Sequence, residues 1–369
     1  MLPISISQIK HLNLKNLFKI IFWTIIRFIQ INNKNKYQFI YILGPSGVNN
    51  HGIYIPKSVL ITKNINTQTI ILITKFNLLE IVKKIRHFKR FRIVDKNFFL
   101  TSEASTSMRL WYCDFTSGRD KDLYKEISEI NLARLISTNI NKPIAVLGTG
   151  PSYNSAKDYF IKKEIKIITC NSAVYDSDLW KINNVSLCFA DPVFHFGQSE
   201  EAMKFKNEVI KKFNEKPFYI ILPIEGFPIV KNNWGIDEGY LIGLKKGSQT
   251  QLKAQFGETI KLKRTSNILT EFMIPLSIMM SKHIFLGGFD GRETQEKNFW
   301  QYANNTNQDL DPHVESHPSF FNDRDMLKYY ENHVKILENQ ISELEKKGYV
   351  FNNITESNID FLNKRTYEK

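Results

Sequence analysis

Three short stretches end in polar residues suited to holding a ligand: Gly148-Thr149-Gly150-Pro151-Ser152, Cys170-Asn171-Ser172 and Ala190-Asp191-Pro192. Each closes an apolar run. Glycines in the first let backbone approach a bound group, and a helix beginning just after it favours a phosphate. By itself a G-x-GPS turn says little, because any tight strand-to-helix turn suits Gly and Pro. Further along lie KRTSN (263–267), FLGGFD (285–290) and two histidines four apart, His313 and His317. Histidine titrates close to neutrality and so suits proton transfer. Asp-x-Asp pairs occur at Asp176/Asp178, Asp309/Asp311 and Asp323/Asp325. None directly follows an apolar run, and acids are common at helix starts, so no metal site is expected. The GPSG at 44–47 lacks a following Gly-Lys-Ser/Thr and is not a P-loop. Three cysteines (Cys113, Cys170, Cys188) without Cys-x-x-Cys spacing argue against structural zinc and disulfides.

The elements that must position these residues follow from the apolar pattern. IAVLG (144–148), IKIITCN (165–171), VSLCFAD (185–191), FYIILP (218–223) and KHIFLGGFD (282–290) are nearly unbroken apolar runs. Such runs predict strands buried on both faces, as in a parallel sheet. SAKDYFIKKE, EEAMKFKNEVIKKF and ILTEFMIPLSIMMS lie between them with helical character. The fold class is therefore α/β, a doubly wound, mostly parallel Rossmann-like sheet over residues 140–352. In this open type of sheet the ligand sits at the carboxyl ends of the strands, where the three polar stretches fall. A helix over 119–137 links this domain to a smaller one. Another over 323–347 carries Leu327, Tyr330, Val334, Leu337, Ile341 and Leu344 in steps of three and four. With only three heptads, that seam predicts a helix packed on the sheet rather than a dimerising coil. Residues 353–369 read as a tail.

Residues 1–130 form the smaller, basic domain, α/β or β-rich, from YQFIYIL (37–43), SVLIT (58–62), QTIILIT (68–74) and a basic helical stretch at 78–92. The net charge of +13 sits entirely at this end: residues 1–100 hold 16 Lys/Arg against Glu80 and Asp95, and the rest of the chain is nearly neutral. The segment 12–31 is apolar but interrupted by Lys15, Lys19 and Arg27, which fits poorly with a membrane span. No small-residue cleavage site follows it, so a signal peptide is not expected either. A helix lying in a membrane interface and a helix docked on its own domain both fit.

The polar strand ends, KRTSN, FLGGFD and the paired histidines, taken in order, resemble the bacterial sialyltransferases of glycosyltransferase family 42 over about residues 142–350. There the strands end in G-x-GPS, CN, [ND]P and S-G-I-D, with R-x-TSG at a helix start and two histidines four apart. The resemblance implies a GT-A-like variant of the sheet and an inverting, metal-independent transfer from a CMP-sialic acid donor without a further cofactor. An oxocarbenium-like transition state, as in glycosidases, needs a base for the acceptor hydroxyl, and the resemblance assigns His317, with His313 as the fallback. The family stabilises the leaving phosphate with two tyrosines. Here Arg292 stands two residues past Asp290 and Tyr302 is the nearest later phenol, so these two are expected to do so, the guanidinium by a bidentate contact. A surface salt bridge is the competing role for Arg292.

The donor contacts carried over are Gly148, Thr149 (where the family has Asn), Gly150, Pro151, Ser152, Asn171, Asp191, Thr265 and Ser266. Thr265 and Ser266 would meet the donor carboxylate, helped by a helix N-terminus and by Lys263 or Arg264. Asp191 replaces an Asn, and an acid repels an anionic donor unless protonated or paired. It would otherwise bind a ribose or sugar hydroxyl, which points to a related nonulosonic acid such as Kdo, pseudaminic or legionaminic acid. Expected partners are the CMP-activated sugar, a glycan or glycolipid acceptor such as lipooligosaccharide or capsule, and an anionic membrane surface met through residues 1–100, with no nucleic acid. The expected location is cytoplasmic, peripheral on the inner face of the membrane. Two rivals remain: a DUF115-like diphosphokinase or flagellin-glycosylation factor, which shares the G-x-GPS and CN strand ends, and a non-enzymatic membrane adaptor.

Overall fold

A computed structural model describes residues 37–43, 53–75, 77–94, 103–139, 142–246, 251–253, 259–261, 265, 267–292 and 325–366. It divides into two compact units, residues 1–120 with 196–199, and residues 121–195 with 200–369.

The first unit is α/β rather than β-rich. Strands β1 (Phe39–Leu43), β2 (Leu60–Ile61), β3 (Thr69–Ile73) and β4 (Phe91–Ile93) pair in parallel in the order β2-β1-β3-β4. Ile70–Ile73 of β3 are fully buried, as a strand covered on both faces requires. The basic stretch read as one helix over 78–92 splits in three: an α-helix at Leu78–Lys83, a 3-10 turn at Ile85–Arg90, and β4. Asn77 starts it, its Oδ1 accepting the N–H of Leu79 at 3.1 Å. The split has a physical cause at its far end. Arg92 turns inward and its guanidinium donates to both oxygens of Asp114, at 2.8 and 2.6 Å, with both side chains buried.

In the second unit, strands β5 (Ile144–Leu147), β6 (Lys166–Cys170), β7 (Val185–Cys188), β8 (Tyr219–Pro223) and β9 (Leu241–Leu244) run side by side. The chain then forms a short antiparallel pair, β10 (Gln251–Lys253) and β11 (Thr259–Lys261). It returns on the other side of β5 with β12 (His283–Gly287) and β13 (Val350–Asn353). The seven-stranded parallel sheet thus has the order β13-β12-β5-β6-β7-β8-β9. Leaving β5 in one direction and coming back on its other flank creates a topological switch point between β5 and β12, where such sheets open a crevice. The sheet is doubly wound, as its apolar runs predict. β9 and β13 were not foreseen.

One face of the sheet, including Ile144, Val146, Ile168, Ile221 and Ile284, packs against the Gly118–Ser137 helix, the helical segment 269–280 and the Met326–Glu345 helix. The seam expected on the last of these is confirmed as sheet packing: Leu337 and Ile341 are fully buried, while Leu327 at its start is exposed. Residues 354–366 are not a tail. Asn353 N–H donates to Arg365 O, and Arg365 forks onto Glu345 at 2.7 and 2.6 Å.

Two expectations follow. Asp114→Ala would strand the Arg92 charge in a buried site and lower stability by about 3–5 kcal/mol, measurable by urea unfolding. His333, on the Met326–Glu345 helix, is buried with Nδ1 unpartnered, and burial pushes its imidazole down to about 4. The folded state therefore binds fewer protons than the unfolded one below about pH 6.5, so stability is complete above that pH and drains away as the pH falls towards 4. Unfolding at pH 7 and pH 5 should differ by about 2 kcal/mol from this group, and His333→Leu should remove that part of the difference.

Candidate active site

The loops following β5 and β12 meet at the switch point and are laced together. Gly148 N–H donates to Gly287 O at 2.8 Å, Gly150 N–H to Gly288 O at 3.0 Å, and Ser152 N–H to Asp290 Oδ1 at 2.9 Å. The approach excludes side chains: a Cβ on Gly148 would lie 2.5 Å from Gly288 O, and one on Gly288, at φ +75°, 2.4 Å from Gly148 O. The glycines of the GTGPS turn thus serve contact between loops. This differs from the phosphate cradle expected of them, because the amides of Gly148, Gly150 and Ser152 are already donating within the chain. At the start of the Tyr153–Lys162 helix stands a carboxylate of the protein itself, Asp290, which helix polarity favours.

Segment 354–359 holds the β12 loop from its other flank. Ser357 Oγ donates to Phe289 O at 2.7 Å, Asn358 N–H to Asp290 O at 2.6 Å, and Gly288 N–H to Thr355 Oγ1 at 3.3 Å. Arg292 follows directly. Its N–H donates to the Tyr330 hydroxyl at 3.2 Å and its guanidinium lies 5.9 Å from the centre of that ring. Tyr330 stood in the sequence only as one residue of a packing seam; the fold makes it a phenol beside Arg292.

At the end of β6, Asn171 adopts φ +47°, in the left-handed region that Asn tolerates better than most residues. Its Oδ1, the hydroxyl oxygen of Ser172 and Asp290 Oδ2 are all buried without a hydrogen-bond partner. A buried polar atom left unmatched costs about 1–3 kcal/mol. These three, two just past β6 and one just past β12, are joined at the carboxyl end of β5 by a fourth, the hydroxyl oxygen of Ser152. Burial raises the Asp290 carboxyl above the ordinary carboxylate range, opposed by the hydrogen bond from the Ser152 N–H.

At β7 the structure redefines Asp191. Its Oδ1 accepts the N–H groups of Val193 at 2.7 Å and Phe194 at 2.9 Å, and its own N–H donates to His195 Nδ1 at 3.0 Å. One oxygen, Oδ1, therefore caps the turn after the strand. Thr265 likewise belongs to a helix start: its hydroxyl donates to Asn267 O at 3.2 Å and accepts from Thr270 Oγ1 at 2.7 Å. Asn267, whose Oδ1 accepts Leu269 N–H at 2.9 Å, is the capping residue. His313, His317, Tyr302, Ser266, Lys263 and Arg264 lie outside the described residues, and so do Asp309, Asp311 and Asp323 of the paired acids.

Of the remaining paired acids, Asp176 is buried and accepts from Lys157 Nζ at 2.8 Å and Tyr153 OH at 2.9 Å, pinning the turn after β6 to the helix that precedes β6. Asp325 caps the Met326–Glu345 helix. No cluster of three or more potential metal ligands occurs among the described residues.

Two further residues escaped the sequence. Glu271 is 2% exposed, and Lys246, just past β9, reaches to 3.8 Å from its Oε2 and 3.4 Å from Ala190 O. Glu271 sits in a π-turn, Leu269–Met273, just before Pro275. Proline has no N–H to return to the Glu271 carbonyl, which favours the wider turn. In that turn Ile274 N–H bonds to Leu269 O, and Thr270 O takes Gln340 Nε2 instead, at 3.1 Å. A lone lysine and a lone glutamate among many in the sequence carry no signal; only the return of the chain past β9 joins them. An open depression of about 410 Å³ between Trp180, Asn183, Lys216 and Phe218 lies at the amino ends of β7 and β8, opposite the polar edge.

Comparison with protein-family models, curated proteins and solved structures returned no match. What fold and site define is therefore a class: a doubly wound α/β protein with polar groups gathered at its topological switch point.

If Asn171 Oδ1 serves a ligand and not the fold, Asn171→Gly should leave the melting temperature unchanged or raised, because glycine accepts the positive φ freely. The same variant should bind CMP about tenfold more weakly, the worth of one hydrogen bond, by calorimetric titration.

Proposed function

We propose that this chain is an inverting, metal-independent glycosyltransferase that moves sialic acid or a related nonulosonic acid (Kdo, pseudaminic or legionaminic acid) from its CMP donor to a cell-surface glycan. The observation that carries this reading is the set of unmatched acceptors and hydroxyls at the switch point, Asn171 Oδ1, Ser172 Oγ and Asp290 Oδ2. They suit the neutral, donor-rich part of a nucleotide, its ribose hydroxyls and the exocyclic amine of cytosine.

In the reaction the acceptor hydroxyl oxygen bonds to the anomeric carbon as the bond from that carbon to the phosphate oxygen breaks, and CMP leaves with the electron pair. His317 takes the hydroxyl proton. Charge growing on the phosphate is met by Arg292, with Tyr302 and, from its position beside Arg292, Tyr330. Cytidine recognition falls to Asn171, Ser172 and Asp290, and Thr149 and Ser152 line the turn beside them. Thr265 and Ser266 receive the sugar carboxylate at the helix start.

The protein works at the inner face of an anionic membrane, held peripherally through its basic first hundred residues. No helix among the described residues is long and apolar enough to cross a membrane, which suits such an attachment.

Purified protein given CMP-Neu5Ac and a galactose-terminated acceptor in excess EDTA should release CMP, and His317→Ala should slow release by about 10²–10⁴-fold. Release of CMP only from a CMP-Kdo or other nonulosonic donor would keep the class and change the sugar. Turnover that needs ATP and Mg²⁺ and ignores CMP-sugars would replace this reading with the diphosphokinase.

A further inference from the structure

The helix between β3 and β4 is apolar on both sides. Inward, Ile81 and Phe88 join Leu43, Ile71, Ile73, Phe91 and Ile93 in the core on one face of the four-stranded sheet. Outward, Leu78, Leu79, Val82 and Ile85 are 65%, 66%, 56% and 54% exposed. Leu78, Leu79 and Val82, at i, i+1 and i+4, gather as a stripe on one side of the Leu78–Lys83 helix with its 3.6 residues per turn, and Ile85, at the start of the 3-10 turn, adds to the exposed apolar surface. A helix on the surface of a water-soluble domain normally turns polar residues outward, and an exposed apolar patch of this kind marks an interaction surface.

Cations border the stripe. Between residues 75 and 90 the sequence has Lys75, Lys83, Lys84, Arg86, Lys89 and Arg90 against the single acid Glu80. Lys75, Lys83, Arg86 and Lys89 are exposed. Glu80 is already paired with Lys83 at 2.7 Å, which leaves the surroundings strongly positive. Aliphatic side chains enclosed by cations match a lipid leaflet, where acyl chains receive the former and headgroup phosphates the latter. A nucleic-acid surface would call for aromatic or hydrogen-bonding groups between the cations, and here the stripe is leucine, valine and isoleucine.

We infer that this helix is a membrane-docking element: Leu78, Leu79, Val82 and Ile85 insert at the headgroup boundary of an anionic leaflet while Lys75, Lys83, Arg86 and Lys89 hold lipid phosphates. This rests on the membrane part of the proposed function, and locates it on an element separate from residues 12–31. It is independent of the transferase chemistry.

The test uses the full chain with vesicles of phosphatidylcholine containing phosphatidylglycerol, or phosphatidylcholine alone, with no nucleotide or acceptor present. Flotation should recover the protein with the anionic vesicles only, and less of it at high salt. The double variant Leu79→Glu/Val82→Glu should weaken binding at least tenfold with an unchanged melting temperature, because the two side chains face outward. Lys83→Gln/Arg86→Gln should weaken it severalfold. Undiminished vesicle binding by both variants would overturn the inference, as would a lower melting temperature in Leu79→Glu/Val82→Glu, which would mean that the stripe is packed within the chain. Stronger retention on single-stranded nucleic acid than on the anionic vesicles would overturn it too. CMP release in solution is read separately, so a failure of the transferase reading leaves this outcome untouched.

Discussion

Two backbones in contact without a Cβ between them set the geometry of everything at the polar edge of the sheet. β5 is the strand from which the chain departs towards β9 and to whose other flank it returns as β12, so the ends of β5 and β12 must diverge or be tied. They are tied. Gly148 and Gly288 each lack the atom that would collide with the other's carbonyl, and the ladder of amide bonds continues past the strands as far as Ser152 and Asp290. The tie has an electrostatic consequence. A helix N-terminus at a switch point ordinarily offers its amides to a phosphate. Here Asp290 takes the Ser152 amide, and its other oxygen stays buried without a donor against Gly150. The Ser152 amide is thereby taken up within the chain, and the switch point gains a buried acceptor.

The rest of the domain braces that arrangement from outside the strand ends. The segment 354–359 bonds to the carbonyls of Phe289 and Asp290 and to the Gly288 amide. The Met326–Glu345 helix supplies Tyr330 to Arg292 and Gln340 to Thr270. A single element thus supports both the β12 loop and the π-turn that carries Glu271. These polar contacts lie beside a nearly solvent-free core that includes Leu337 and Ile341. In such surroundings a matched hydrogen bond fixes one arrangement, because an unmatched group costs far more than it would in water.

What the sequence makes legible follows from how strongly local pattern fixes each element. Five of the seven strands of the larger sheet are apolar runs long enough to declare themselves. β9 is four residues, Leu241–Leu244, with Gly243 inside it because Ile224 packs where a Cβ would sit; a short strand with an internal glycine reads as loop. β13 ends in Asn352-Asn353, and Asn353 is buried only because its side chain donates to Thr355 O at 2.6 Å. Arg92, expected on a helix across 78–92, instead sits on β4 and meets Asp114, a partner 22 residues away in the chain. The same holds for the site. Gly148–Ser152, Asn171 and Asp191 sit at strand ends as the runs require. The capping role of Asp191, the pairing of Arg292 with Tyr330 and that of Lys246 with Glu271 depend on folded geometry, and no spacing announces them.

Charge accounting at the crevice bears on how an anionic nucleotide sugar would lie in it. On the transferase reading the ligand brings a phosphate, a carboxylate and a donor-rich nucleoside. The centre, between β5, β6 and β12, holds Asp290 and the Asn171 side-chain carbonyl oxygen, and the amides of Gly148, Gly150 and Ser152 are already engaged; a phosphate there would face a carboxylate. The cations stand to either side: Arg292 beyond the β12 loop, and Lys246 beside Ala190 at the end of β7. Lys246 is partly neutralised by buried Glu271, and Arg292 lies against the Tyr330 ring. A nucleoside seated at the centre with its phosphate towards Arg292 and Tyr330 therefore satisfies each group with its complement. Reversing it would set phosphate against Asp290 and leave the buried acceptors unmatched. On the transferase reading we propose, the loop that looks in sequence like a phosphate cradle serves as a scaffold between a sugar-and-base site and a separate site for the leaving charge.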